Sequence, residues 1–430
     1  MRSYEETVNY IANLRGGEID LRLHRVERAL APFALPHTRY AAFHIAGTNG
    51  KGSTAAILHR ILCEQGYRAG LYTSPHLASF TERIRVNDEE IGRDEVVELA
   101  KRIEQRTAGA GVQLTFFEFV TVMGFVYFAE KQIDVAVVEV GLGGRLDATN
   151  VVSPVAALIT TISMDHEAYL GSDLLSIARE KGGIIKPGVP VVCGAVPAEA
   201  QALYRDMAAA RNAPVFFLGK DFTVALKAEE KFDYSGRRWK YSDLTLGLPG
   251  NFQRQNAAVA LAGLEAAAER FPMSEAALRA GLENVRWPGR LEFVQRAPQV
   301  ILDGAHNEEG VNTLVQEIER LLPGRKVKLL FGAMRDKNWR TMLGRLCAIA
   351  EEVVLARVPM ERSADPKELA AAVPETLPAR TSESPLEGLR CLLAEARPSD
   401  TILVAGSLYL LGEVRPYFFS GDIIGQRSRT

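Results

Sequence analysis

A chain of 430 residues exceeds what one ordinary core organises, so two domains are expected. Apolar residues make up 47% and charged residues 24%, the balance of a globular protein, and a formal net charge of -2 gives no electrostatic reason to expect nucleic acid or an anionic membrane as partner. Cys63, Cys193, Cys347 and Cys391 lie far apart with no Cys-x-x-Cys pair, which argues against metal staples and a secreted disulfide framework, and no signal-peptide or bilayer-length apolar pattern is visible, so a reducing cytoplasm is expected.

Short Val/Ile/Leu-rich runs recur along the chain at 43–45, 134–140, 155–162, 189–193, 300–302, 327–331, 352–355 and 401–404, separated by alanine-rich amphipathic stretches. Continuous apolar strands alternating with helices predict an α/β protein with a mostly parallel sheet covered on both faces. The pattern is interrupted between 284 and 294, where Pro288-Gly289 breaks it, and then restarts. The expected domains are therefore 1–289 and a smaller 290–430. No internal repeat or low-complexity segment is visible, and the polar tail 420–430 is expected to fray.

The first apolar run leads into Gly47-Thr48-Asn49-Gly50-Lys51-Gly52-Ser53, and a helix is expected from Thr54. Strand, glycine loop, helix is an arrangement that aims backbone N–H groups and a helix N-terminus at a phosphate chain. Lys51 would neutralise phosphate charge, and Ser53 or Thr54 would offer magnesium a hydroxyl. The spacing departs from Gly-x4-Gly-Lys-Ser/Thr, with two residues between the glycines and Gly52 after the lysine. ATP is the expected ligand; the plain alternative is a tight turn.

Glu139 stands near the end of the 134–140 run, just before Gly141-Leu142-Gly143-Gly144. A carboxylate at such a place is costly unless paired or bound to a cation, which makes Glu139 a candidate magnesium ligand, with a salt-bridged strand-end acid as the alternative. The 155–162 run ends in Ser163-Met164-Asp165-His166. Ligands of open α/β sheets gather outside the carboxyl ends of the strands, so the glycine loop, Glu139 and His166 are expected to converge. Taken alone, His166 is as readily a structural hydrogen-bonder, because magnesium prefers oxygen.

Gly47-Thr48-Asn49-Gly50-Lys51-Gly52-Ser53, Tyr72-Thr73-Ser74-Pro75-His76-Leu77, the run from Glu139 through Gly144 to Arg145-Leu146-Asp147-Ala148-Thr149-Asn150, Asp165-His166 with Leu170-Gly171, and Asp303-Gly304-Ala305-His306-Asn307 together resemble the folylpolyglutamate synthase/dihydrofolate synthase family of the Mur ligase superfamily. The likeness extends from about residue 19 to 411. It implies a P-loop-type parallel-sheet ATPase domain followed by a smaller Rossmann-like domain. It also implies ATP and Mg2+, with Ser53 and Glu139 holding one ion and Ser74, Glu139 and His166 a second. Lys51, Lys181 and His166 would be the catalytic side chains, Lys181 as a carbamate. Asn256, Arg290, Asp303 and His306 would join residues 47–53 as ATP contacts from both domains. Thr115, Phe117, Asp147 and Ala148 would bind a pterin-bearing substrate, and Glu18-Ile19-Asp20-Leu21 resembles a substrate loop.

The activity so implied is ATP-dependent addition of L-glutamate to dihydropteroate, to a folate, or to both, through an acyl phosphate, by a cytoplasmic monomer without nucleic-acid or membrane partners. Positioning and cation charge carry such a reaction, in keeping with the lack of an evident Ser-His-Asp triad or nucleophilic cysteine. The alternatives are a Mur-type ligase acting on a cell-wall nucleotide precursor and a nucleotide-dependent switch that makes no amide.

Overall fold

The computed structural model describes residues 2–14 and 23–419; the loop at Glu18-Ile19-Asp20-Leu21 and the polar tail from Ser420 lie outside the described residues. Contacts divide the chain into two units, one made of residues up to Gly247 with Asn251–Arg286, the other of Leu248–Gly250 with Trp287 onward.

The first unit is built on Ala41–Ala46 (β1), Ala69–Tyr72 (β2), Ile84–Val86 (β3), Glu89–Glu90 (β4), Val135–Glu139 (β5), Ala156–Ile159 (β6), Val191–Cys193 (β7) and Val215–Phe217 (β8). They form one sheet in the order β4-β3-β2-β5-β1-β6-β7-β8, parallel except for the β2-β3 and β3-β4 pairs. Every residue of β1, β2, β5 and β6 is buried, because helices cover both faces, and this is why these strands read as unbroken apolar runs. Phe125, Phe128, Ile177 and Tyr204 cover the face that carries Tyr72 and Ile159, and the opposite face, with Phe43 and Leu158, packs on Phe271 and Gly263. Thr223–Leu226 (β9), Phe232–Ser235 (β10) and Lys240–Leu244 (β11) add a small antiparallel sheet.

The helix after β1 spans Lys51–Glu64, so it begins three residues before the expected Thr54. The cause is Gly50, whose φ of 84° turns the chain abruptly at the N-cap. Lys51, Gly52 and Ser53 thereby stand in the first helical turn, where backbone N–H groups lack intrahelical partners.

The second unit holds Glu292–Arg296 (β12), Gln299–Asp303 (β13), Val327–Phe331 (β14), Ala350–Ala356 (β15), Ala379–Ser382 (β16) and Thr401–Ala405 (β17). Their order is β12-β13-β17-β14-β15-β16, with only β12 antiparallel to its neighbour. Ile301, Leu329, Phe331 and Leu403 form its core with the Glu308–Leu321 and Trp339–Cys347 helices. The architecture is α/β throughout, a P-loop-type sheet followed by a smaller Rossmann-like one.

Among the described residues no helix is long and apolar enough to cross a membrane, and all four cysteines are free.

Candidate active site

The glycine loop is held in place by the end of β6. Thr48 N–H donates to the Thr161 carbonyl at 2.8 Å, Asn49 N–H to Thr161 Oγ1 at 3.0 Å, and Thr160 Oγ1 to the Asn49 carbonyl at 2.6 Å. Ser163 N–H adds a bond to Thr48 Oγ1 at 3.1 Å. The approach is so close that a Cβ on Gly47 would overlap the Thr160 hydroxyl, and one on Gly50 would overlap Asn256 Oδ1. Asn256 therefore lies directly against the loop, braced through its Nδ2 by Gln253 Oε1 at 2.9 Å. Lys51 folds back to donate to the Gly47 and Thr48 carbonyls at 3.0 and 3.2 Å. Ser53 is buried in the first turn, and the neighbouring Thr54 hydroxyl is buried with no hydrogen-bond partner.

One further group reaches the loop, and a second stands at the end of the strand paired with β1. Lys181, at the C-terminal end of the Leu174–Lys181 helix, donates from Nζ to the same Gly47 carbonyl at 2.9 Å. Burial, with the Lys51 ammonium beside it, pulls the Lys181 amine down to about 7. Glu139, only 4% exposed at the end of β5, accepts the Ser74 N–H at 2.9 Å. The structure thus brings Ser74 and Glu139 together on the side of the sheet that carries the glycine loop. His166 lies on the segment leaving β6, in left-handed backbone with φ 54°; its ring faces the Asp165 carboxylate at 3.8 Å and is two-fifths exposed.

This donor set suits a hard divalent cation. Among the described residues no three His, Cys, Asp or Glu side chains gather into a cage, and magnesium ordinarily needs only one or two carboxylates beside the phosphates of its nucleotide. Glu139 and the hydroxyls of Ser53 and Ser74 are oxygen donors of that kind.

Sequence reasoning missed what supports Ser74. Glu82 collects the N–H groups of Leu77, Ala78 and Ser79 at 2.7, 2.9 and 2.7 Å, and Arg83 Nε donates to His76 Nδ1 at 2.7 Å. A glutamate in a Ser-x-x-Glu spacing, Ser79 to Glu82, was the available signal.

The expected substrate residues divide into two kinds. Phe117 is partly exposed, and the outer edge of its ring comes so close to Gly141 that a Cβ there would overlap it; Ala148 is buried nearby in the 3-10 turn Ala148–Val151. Thr115 and Asp147, by contrast, are occupied by the fold. Thr115 caps the Phe116–Glu130 helix and its hydroxyl bonds Glu118 Oε2 at 3.0 Å. Asp147 is buried, accepts the Leu142 and Thr149 N–H groups at 2.9 Å each, and also takes the Thr149 hydroxyl. Asp147 thus ties together the loops on either side of it through its carboxylate. Beside Thr115, Arg25 and Glu118 form a buried ion pair at 2.7 Å, another contact that no local sequence signal announces.

In the second unit Asp303, at the end of β13, accepts the Leu291 and Ala305 N–H groups at 2.8 Å each. Burial pushes its carboxyl up from the ordinary value while nearby Arg290 opposes the shift. Arg290 also packs on Gly304, and His306 Nδ1 donates to the Gly304 carbonyl at 2.8 Å. Arg290, Asp303 and His306 are therefore one cluster.

Family models match both units: residues 45–264 match the Mur ligase middle domain, and residues 289–408 the Mur ligase glutamate ligase domain. A Bacillus subtilis dihydrofolate synthase/folylpolyglutamate synthase is 37% identical over 404 residues, covering 91% of this chain and 94% of that protein. The structure of E. coli FolC in complex with DHPP and ADP superimposes with a TM-score of 0.90 at 32% identity, covering 97% of this chain and 98% of that one. The bifunctional folylpolyglutamate synthase/dihydrofolate synthase of Yersinia pestis, complexed with AMPPNP and Mn ion, gives 0.88 at 32%, covering 97% and 98%. With the glycine loop, the Ser74 and Glu139 pair and the Asp303 cluster all in place, the chain belongs to the folylpolyglutamate synthase/dihydrofolate synthase family of Mur ligases.

Proposed function

We propose that this protein is an ATP-dependent ligase that joins L-glutamate to the free carboxylate of dihydropteroate and of folates already carrying glutamate. The observation that carries the reading is the convergence on one carbonyl, that of Gly47, of Lys51 and Lys181, beside a loop whose N–H groups and helix N-terminus favour phosphate.

The acceptor carboxylate attacks the γ-phosphorus, an acyl phosphate forms as ADP leaves, and the glutamate amine then displaces inorganic phosphate to give the amide. Residues 47–53 and Asn256 bind the nucleotide in the first unit, and Arg290, Asp303 and His306 supply further nucleotide contacts in the second. Glu139, Ser53, Ser74 and His166 are the proposed magnesium ligands, and a divalent cation held by them would supply positive charge to the transferring phosphoryl group. Lys51 holds its ammonium at the phosphate loop. Lys181 is the proposed carbamylation site, and a pKa of about 7 supports this, since only the neutral amine attacks carbon dioxide. The product carbamate is an anion, which relieves the crowding of two cations at one carbonyl.

Phe117 offers its ring to the flat heterocycle of the acceptor, with Ala148 beside it and Asp147 and Thr115 shaping the surrounding loops. The enzyme is proposed to work in the cytoplasm as a monomer. Mass spectrometry of a reaction containing dihydropteroate, ATP, magnesium and glutamate tests the reading: a product heavier by one glutamyl residue supports it, and repetition with a monoglutamylated folate reports the second activity. ATP turnover with product from neither acceptor contradicts it.

A further inference from the structure

A line of buried polar side chains runs from β1, the strand that delivers the glycine loop, to the 141–144 loop that follows Glu139. His44 Nε2 stands 2.8 Å from Thr149 Oγ1, and Thr149 Oγ1 in turn bonds Asp147 Oδ1. Asp147 Oδ2 takes the Leu142 N–H at 2.9 Å, and the Gly141 N–H is a further donor to the same carboxylate. His44 and Thr149 are wholly buried and Asp147 is 3% exposed.

The direction of the bonds is fixed by counting protons. A carboxylate only accepts, so the single Thr149 hydroxyl proton goes to Asp147, and Thr149 must accept from His44. His44 therefore carries its proton on Nε2. Its Nδ1 is buried without a hydrogen-bond partner, as a neutral ring in that tautomer allows, and burial holds the imidazole far below its ordinary value, at about 3. Three polar groups taken out of water in a row are costly, and apolar side chains would fill the same space more stably. What such a line supplies is orientation.

We propose that His44 and Thr149 are positioning residues for the acceptor substrate: they orient Asp147, and through it the 141–144 loop against whose first glycine the edge of the Phe117 ring lies. The inference rests on the proposed acceptor face at Phe117. It separates two functions of β1, which holds the phosphate loop through its C-terminal end and sets the acceptor loop through one side chain in its middle.

The test compares Michaelis constants in the intact enzyme. Thr149→Val keeps the shape and removes the hydroxyl; His44→Leu removes the donor. Each is expected to raise KM for dihydropteroate about tenfold or more, the scale of one lost hydrogen bond to a charged group, while KM for MgATP stays unchanged. Thr149→Ser, which restores the hydroxyl, returns the acceptor KM to near the parent value. If His44→Leu does not fold, His44→Gln against His44→Asn makes the same comparison, because glutamine places an N–H where Nε2 stands and asparagine places it at Nδ1; only the asparagine form should raise the acceptor KM. Equal rises in both Michaelis constants, or an unchanged acceptor KM in Thr149→Val, overturn the proposal. Failure of the parent enzyme to consume dihydropteroate would instead overturn the proposed function and leaves a distinct signature, since no variant is then needed to see it.

Discussion

Glu139 is where charge is most exposed to test, since a 4% exposed carboxylate at a strand end is tolerable only with compensation, and one N–H from Ser74 is a small part of it. Glu139→Gln keeps an oxygen for Ser74 and removes the charge. It is expected to leave the fold intact by circular dichroism and to lower kcat about 100-fold or more, comparable with removal of a principal electrostatic contact. Unchanged turnover would remove Glu139 from the site. Lys181 gives a complementary prediction. Its amine, at about 7, is largely neutral above that pH, so carbamylation is favoured on the alkaline side. Enzyme prepared in carbon dioxide-free buffer should lose activity, most of all below pH 7, and recover it on addition of bicarbonate. Lys181→Arg, whose guanidinium stays protonated, should lose most turnover and gain nothing from bicarbonate; full activity in that variant would contradict the carbamate.

Among elements, β1 and the Lys51–Glu64 helix share an acid liability. Both bury a neutral histidine, His44 on the strand and His59 on the helix, and burial lowers them to about 3 and about 4. The unfolded chain binds these protons near the ordinary value of 6.5 and the folded chain resists them. Their contribution is thus complete above pH 6.5 and is lost as pH falls toward 4. For His59 the loss by pH 4.5 is roughly 3 kcal/mol. Urea unfolding at pH 7 and pH 4.5 should show His59→Gln less sensitive to acid than the parent; an identical drop in both would contradict this account of the burial.

Legibility at this scale followed the physics of each element. Strands buried on both faces, such as β5 and β6, announce themselves as apolar runs. The antiparallel β9 to β11 sheet is half exposed and carries Asp233 and Asp243 among its residues, both paired with Lys227 just after β9, so no apolar run marks it. The same division holds in the site. Gly50, Lys51 and Ser74 sit in motifs whose spacing expresses backbone demands. Thr160 and Thr161, which staple the phosphate loop from 111 and 112 residues away, and Arg25, paired with Glu118 at a separation of 93, act through tertiary contacts that no local pattern records. Thr115 and Asp147 show the converse: a family motif names them, while their capping and loop-anchoring bonds carry no local signature in the sequence.

For the whole molecule, the two units divide labour along lines visible in their sheets. The first carries the glycine loop, the buried Glu139 and the Phe117 ring; the second carries the Arg290, Asp303 and His306 cluster at the end of β13. The restart of apolar runs after Pro288-Gly289 was readable, whereas assignment of Leu248–Gly250 to the second unit was not, because three residues carry no periodicity. The central claim is that an oxygen of the acceptor becomes bonded to phosphorus before nitrogen arrives. Dihydropteroate labelled with heavy oxygen in its carboxylate tests this directly when the inorganic phosphate is analysed by mass spectrometry. One labelled oxygen per phosphate released, matched by one new amide, is the predicted result; unlabelled phosphate accompanying amide formation would contradict the account.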